Sequence, residues 1–231
     1  MNPRAANLLR LFFFALTAFV LGGCARPSTL PNNSPAPAAT TPKAADVMNL
    51  FDGKTLAGWK LTDFGGGGEI GVEKETLRVG MGLGLSGVNW TNDFPRGNYE
   101  VTLEAMKLDG NDFFCGLTFP VGESFATLIV GGWGGAVTGI SSVDHADASE
   151  NETTKFLFYE KNRWYKIRLQ VTEAKIQAWI DGDAVVDLAL AGHMISLRPG
   201  EIESSKPFGL ATWQTTAAWR NIQLRRLPPA R

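Results

Sequence analysis

The chain has 231 residues, with 22 basic and 23 acidic side chains and a formal charge of −1 at pH 7. No cluster of Lys and Arg is interleaved with aromatic residues, which argues against nucleic acid as a partner. Its two cysteines, Cys24 and Cys115, lie in segments of different character, and with Cys24 modified they leave no disulfide framework.

Residues 1–23 read as a secretory signal peptide. Arg4 and Arg10 supply a short positive region, and an apolar run from Leu11 to Leu21 follows. That run is shorter than the ~20 apolar residues needed to span a bilayer. Leu21, Gly22, Gly23 and Cys24 then resemble the lipobox of bacterial lipoproteins. The resemblance implies removal of 1–23 and acylation of Cys24, so membrane contact is expected through the lipid alone. An aspartate after the cysteine would suggest retention at the inner membrane; Ala25 favours the outer membrane of the cell envelope, facing either the periplasm or the surface.

Residues 24–46 are rich in Pro, Ala, Ser, Thr and Asn, and read as a tether that buries too little apolar surface to fold. A short helical turn is expected near Ala44–Leu50. From 47 to 228 the pattern is one of strands. Residues 98–108 alternate, with Tyr99, Val101, Leu103 and Ala105 on one face and Glu100, Thr102 and Glu104 on the other. Residues 163–171 alternate in the same way. The runs 174–180 and 184–190 flank Asp181-Gly182, a strong hairpin signal because both turn positions tolerate positive φ. Shorter strand-length runs are DFFCGLTF, FATLIVGG and KFLFYE, and two more, KPFGLATW and TAAWRNIQLRRL, close the chain. Cys115 falls within one of them, as a buried inert thiol. Glycine clusters at 65–68, 80–84 and 131–135 mark loops or bulges, and none opens onto a helix as a phosphate-binding loop would. The expectation is an all-β, two-sheet antiparallel β-sandwich or jelly roll in a single domain over 47–228.

Three segments, in order, resemble the 3-keto-disaccharide hydrolase domain family. They are LFDGKTLAGWK (50–60), GNYEVTLEAMKLDGNDFFCGLTF (97–119), and RWYKIRLQVTEAKIQAWIDGDAVVD (163–187) together with GLATWQTTAAWRNIQLRRL (209–227). The resemblance implies a concanavalin-like, laminin-G-like sandwich, a carbohydrate ligand, and hydrolysis of glycosides oxidised to a ketone at carbon 3. One stretch departs from the family pattern. Where many members place polar side chains on a strand, residues 125–130 here are mostly apolar.

A ketone at carbon 3 acidifies the proton on carbon 2, so such a site needs a base, an acid, and a donor or divalent metal ion for the enolate. His145 is one of two histidines and the first candidate for base or metal ligand, with Asp144 and Asp147 to orient it. Their spacing is not that of a specific metal site, and a solvated acidic loop is the plainer account of them. Glu104 is the candidate acid, against the alternative of an outward carboxylate paired with Lys or Arg. Trp133 and Trp213 are candidates to stack on sugar faces, as is Trp179, and core packing competes for each. Asp112 and Arg198 are the remaining candidate substrate contacts, although turn formation accounts for Asp112 and a solvated loop for Arg198 and His193. Two functions stay open: an enzyme acting on 3-keto-glycosides by proton abstraction, elimination and hydration, and a non-catalytic carbohydrate-binding sandwich.

Overall fold

The computed structural model describes residues 47–229; the segments read above as a signal peptide and a tether, Cys24 included, lie outside the described residues. In chain order the strands are β1 (Val47–Asn49), β2 (Trp59–Leu61), β3 (Ile70–Glu73), β4 (Thr76–Val79), β5 (Leu85–Trp90), β6 (Tyr99–Gly110), β7 (Cys115–Val121) and β8 (Ser124–Gly132). There follow β9 (Val137–Ser141), β10 (Lys155–Phe156), β11 (Trp164–Val171), β12 (Lys175–Ile180) and β13 (Asp183–Ala189). A short 3-10 helix (Glu201–Ser205), β14 (Gly209–Trp213) and β15 (Thr215–Arg226) complete the fold.

The strands form two antiparallel sheets. One runs β13-β12-β11-β6-β15-β4-β3, with β1 also beside β15; the other runs β10-β9-β8-β7-β14-β5-β2. The architecture is the all-β sandwich that the alternating runs predict. Between the sheets lie Tyr99, Phe114, Leu117, Phe119, Leu128, Ile167, Leu169, Phe208 and Trp219, each essentially inaccessible to water. Trp219 donates its indole N–H across the sandwich to the carbonyl oxygen of Phe114 at 2.9 Å, so its one polar atom is satisfied in an apolar core.

The Asp181-Gly182 turn forms with φ of 54° and 97°, as the dipeptide predicts. The helical turn expected near 44–50 is not what the described part of that segment forms. Val47–Asn49 pair as β1 with Gln223–Arg225, and Leu50 N–H donates to Ile222 O at 2.8 Å. The backbone of β15 offers partners there that an isolated single turn of helix would lack.

The apolar character of β8 follows from burial on both faces. Ala126, Leu128 and Val130 enter the core, while Ile129 packs on the opposite face with Leu85, Phe113, Val137, Ala148 and Ala211. Loops therefore cover much of the second sheet's outer face. Among the described residues, no helix is long and apolar enough to cross a membrane.

Candidate functional site

A groove of about 450 Å³ opens on the outer face of the second sheet. Its volume falls within the ~300–1,000 Å³ typical of small-ligand sites. The floor is apolar, with Leu85, Phe113 and Ile129 in the lining, and in the sheet beneath Ala211 of β14 lies between Gly87 of β5 and Gly116 of β7. A Cβ on Gly87 would meet Leu210 O at 2.2 Å, so glycine there permits the strands' close approach. Next to this floor, Thr118 and Thr127 share a hydroxyl hydrogen bond of 2.9 Å.

Two tryptophans rise from different elements to line the groove. Trp213 ends β14, and Trp133 sits in the β8–β9 turn with φ 48°; they are 37% and 40% exposed. An indole ring that stays partly wet despite its apolar area is free to stack on a ligand. Asp112 holds the Trp133 turn from beneath. Its Oδ2 accepts Gly134 N–H at 3.2 Å and its Oδ1 accepts Phe113 N–H at 2.8 Å. Its own N–H donates to Thr215 Oγ1 at 3.2 Å. Both carboxylate oxygens are thus fixed by backbone donors, which suits Asp112 to positioning more than to proton transfer.

The lining also carries charge. Arg198, Pro199 and Glu201 line the groove on the segment that enters the 3-10 helix. Arg198 Nη1 lies 3.4 Å from Asp147 Oδ2, and Ser141 Oγ, itself at the groove, donates to Asp147 Oδ1 at 3.0 Å. Glu201 opens the helix, is exposed, and takes part in none of the ion pairs of the described residues. Sequence reasoning passed over it; its only signal is its position directly after Arg198-Pro199-Gly200.

Of the residues singled out from sequence, the structure brings Asp112, Trp133, Arg198 and Trp213 together in this groove. It places His145, Asp144 and Glu104 elsewhere. Asp144 and His145 are the two central residues of a tight turn closed by Val143 and Ala146, with φ of 50° and 68°. Asp144 accepts hydrogen bonds from Met194 N–H and the His193 ring, both at 2.7 Å, which hold its carboxyl below the usual range. His145 is exposed at the turn's tip.

Glu104 belongs to the outer face of the other sheet, where Arg220 Nε and Nη2 each reach its Oε2 at 2.7 Å. Arg220 in turn stacks on Trp164 with 4.0 Å between guanidinium carbon and ring centre. Trp179 is covered in the same manner by Arg168, at 3.6 Å. Both are cation–π pairs, and neither indole lines the groove. Cys115 is fully buried and its thiol pKa is pushed far up by desolvation, so it stays protonated and inert.

A protein-held divalent ion would need several clustered His, Cys, Asp or Glu ligands. Among the described residues no group of three or more is so placed, and Asp112 is already engaged by backbone donors. The groove as built does not fit a metal held by these side chains alone.

Over residues 46–225 the chain matches the family described as the 3-keto-alpha-glucoside-1,2-lyase-like domain. Solved structures share its fold at low identity. A carbohydrate-binding module from Bacillus subtilis aligns at 17% identity and TM-score 0.50, covering 73% of this chain and 95% of that one. A Bacillus subtilis protein of unknown function with a galectin-like fold aligns at 11% identity and TM-score 0.54, covering 76% and 92%. A transglycosylase solved with NAG aligns at 12% identity and TM-score 0.54, covering 81% and 86%. No curated protein matches the chain.

Proposed function

We propose, from the premise that this chain belongs to the 3-keto-alpha-glucoside-1,2-lyase-like domain family, that the groove binds a 3-keto-glycoside and eliminates its aglycone. The observation that carries the reading is the convergence of two part-exposed tryptophans with Arg198, Glu201 and Asp112 in one groove. Indole faces match the C–H faces of sugar rings, and fixed acceptors such as Asp112 match their hydroxyls.

The chemistry follows from the groups at hand. Glu201 takes the proton from carbon 2, and the electron pair moves onto the carbon-3 oxygen as an enolate, which Arg198 stabilises. The enolate re-forms the ketone, the carbon 1–carbon 2 double bond forms, and the bond from carbon 1 to the glycosidic oxygen breaks. The proton held by Glu201 passes to the departing oxygen. Water added across the new double bond then gives the free 3-keto sugar. No step is assigned to His145, Asp144 or Glu104, which do not line the groove.

A non-catalytic sugar-binding module is the second reading. It is favoured by the double backbone engagement of Asp112, which leaves Glu201 as the one carboxylate of the groove lining not already engaged. Incubation with 3-keto-glucosides separates the two. The enzyme reading expects release of aglycone, falling at least ~10²-fold in Glu201→Gln. Saturable binding of plain glycans with no turnover would leave only the module.

For location, we propose the cell envelope with Cys24 as the acylated residue, most readily at the outer membrane. Metabolic labelling with a fatty acid tests this: label should enter the chain and be absent from Cys24→Ala.

A further inference from the structure

Two segments that reach the groove are fastened together at a point away from it. Ser141 and Arg198 line the groove, on stretches that run antiparallel. Ser142 N–H donates to Ser196 O at 2.8 Å, Ser196 N–H to Ser142 O at 3.2 Å, and Asp144 N–H to Met194 O at 2.8 Å. Ser124 Oγ donates to Ile195 O at 2.6 Å. At the far end His193 stands between two carboxylates. Its Nδ1 is 2.7 Å from Asp144 Oδ2 and its Nε2 is 3.0 Å from Glu152 Oε1.

Ionised carboxylates only accept hydrogen bonds. The Asp144 contact is a hydrogen bond and the Glu152 contact is an ion pair only when the ring is protonated, so the two carboxylates together favour the imidazolium state. The tie also holds an unfavourable local conformation, since Asp144 and His145 both occupy the left-handed region. We infer that His193 is a positioning residue of the groove: as imidazolium it fastens the Arg198 segment to the loop after β9, and its deprotonation loosens that segment. The consequence for sugar rests on the reading of the groove as the sugar site.

The titratable groups facing His193 are Asp144 and Glu152, with His145 beside Asp144, while Arg198 on its own segment faces Asp147. The Asp144 hydrogen bond, opposed by desolvation and aided by the charge of Glu152, raises the His193 pKa above the ordinary imidazole value. The charge attraction of the tie is therefore complete below that ordinary value and is lost as pH rises through the raised one, while a neutral ring retains at most the Nδ1–H donation to Asp144. On the acid side, Asp144 keeps its charge until the pH falls through its lowered pKa.

Hydrogen exchange of the Met194 and Ser196 amides in the unliganded full chain tests the tie without any sugar. Wild-type protection, corrected for intrinsic exchange, should fall about twofold to fivefold as His193 titrates, the range of a partly exposed ion pair. His193→Arg keeps cationic donors and should hold the wild-type low-pH protection throughout, whereas His193→Gln should sit at the high-pH level throughout. Protection in the wild type that ignores the His193 titration, or the same pH response in all three proteins, would overturn the inference. With 3-keto-glucoside as substrate, KM should rise through the same titration in wild type and stay flat in His193→Arg, with kcat little changed. Absence of turnover would count against the enzyme reading and leave the exchange result standing.

Discussion

Arg198 reaches over the groove to Asp147, with 3.4 Å between Nη1 and Oδ2, and Asp147 is itself held by Ser141 at 3.0 Å. Asp147 is only 24% exposed while Arg198 is 57% exposed, so the better-buried partner sets the direction of the freer one. Removing the charge of Asp147 should therefore act through Arg198. Asp147→Asn is expected to weaken 3-keto-glycoside turnover by about tenfold, equivalent to about 1.4 kcal/mol. Arg198→Lys should behave similarly, because an ammonium lacks the planar fork of the guanidinium. Steady-state kinetics with matched thermal melts will show whether the loss is one of function alone.

The two groove tryptophans should separate from the buried ones by their effect on stability. Trp133→Ala and Trp213→Ala are each expected to lower sugar affinity about tenfold, a scale ordinary for an aromatic anchor at an interface. The melting temperature should shift little, since both rings are already more than a third exposed. Isothermal titration with the glycan or substrate analogue, beside a melt, reads both quantities. Unchanged affinity in both variants would remove the groove as the sugar site.

Glu104 offers the opposite contrast. One oxygen of its carboxylate is held by two guanidinium nitrogens of Arg220 on a different sheet from the groove. Glu104→Gln should leave turnover within about twofold of wild type and cost roughly 0–1 kcal/mol of stability, the range measured for accessible ion pairs. His145→Ala should likewise leave turnover unchanged, since His145 is an exposed turn residue. A large kinetic loss in either protein, with stability intact, would relocate the active site.

Trp219 joins the two layers through its hydrogen bond to Phe114 O. Trp219→Phe leaves that buried carbonyl without its side-chain donor and opens space in a fully buried site. The expected cost is about 2–4 kcal/mol from the lost hydrogen bond and the cavity together. Urea unfolding monitored by circular dichroism gives the value directly, and a change in midpoint without a change in slope marks it as a native-state effect.

What the sequence determined by itself is the alternation of apolar and polar side chains, and with it the long strands β6, β11, β12 and β15 and the Asp181-Gly182 hairpin. Period-two patterning has a direct physical cause there, because one face of each strand meets the core and the other meets water. Strands β3 and β4 were hidden for a local reason. Their connecting residues, Lys74 and Glu75, adopt φ of 48° and 61° without being turn formers. Strands β5 and β9 are buried on both faces, so no alternation marks them. The groove was decided by tertiary structure. Asp112, Trp133, Arg198, Glu201 and Trp213 come from three separate connections and one strand end, and long-range strand pairing such as that of β7 with β8 and β14 brings them together. Glu104 was a fair sequence candidate for the opposite reason: alternation shows that a side chain leaves the core, but not which of the two outer faces it joins. That choice belongs to sheet assignment, which is set by long-range pairing and not by the strand's own residues.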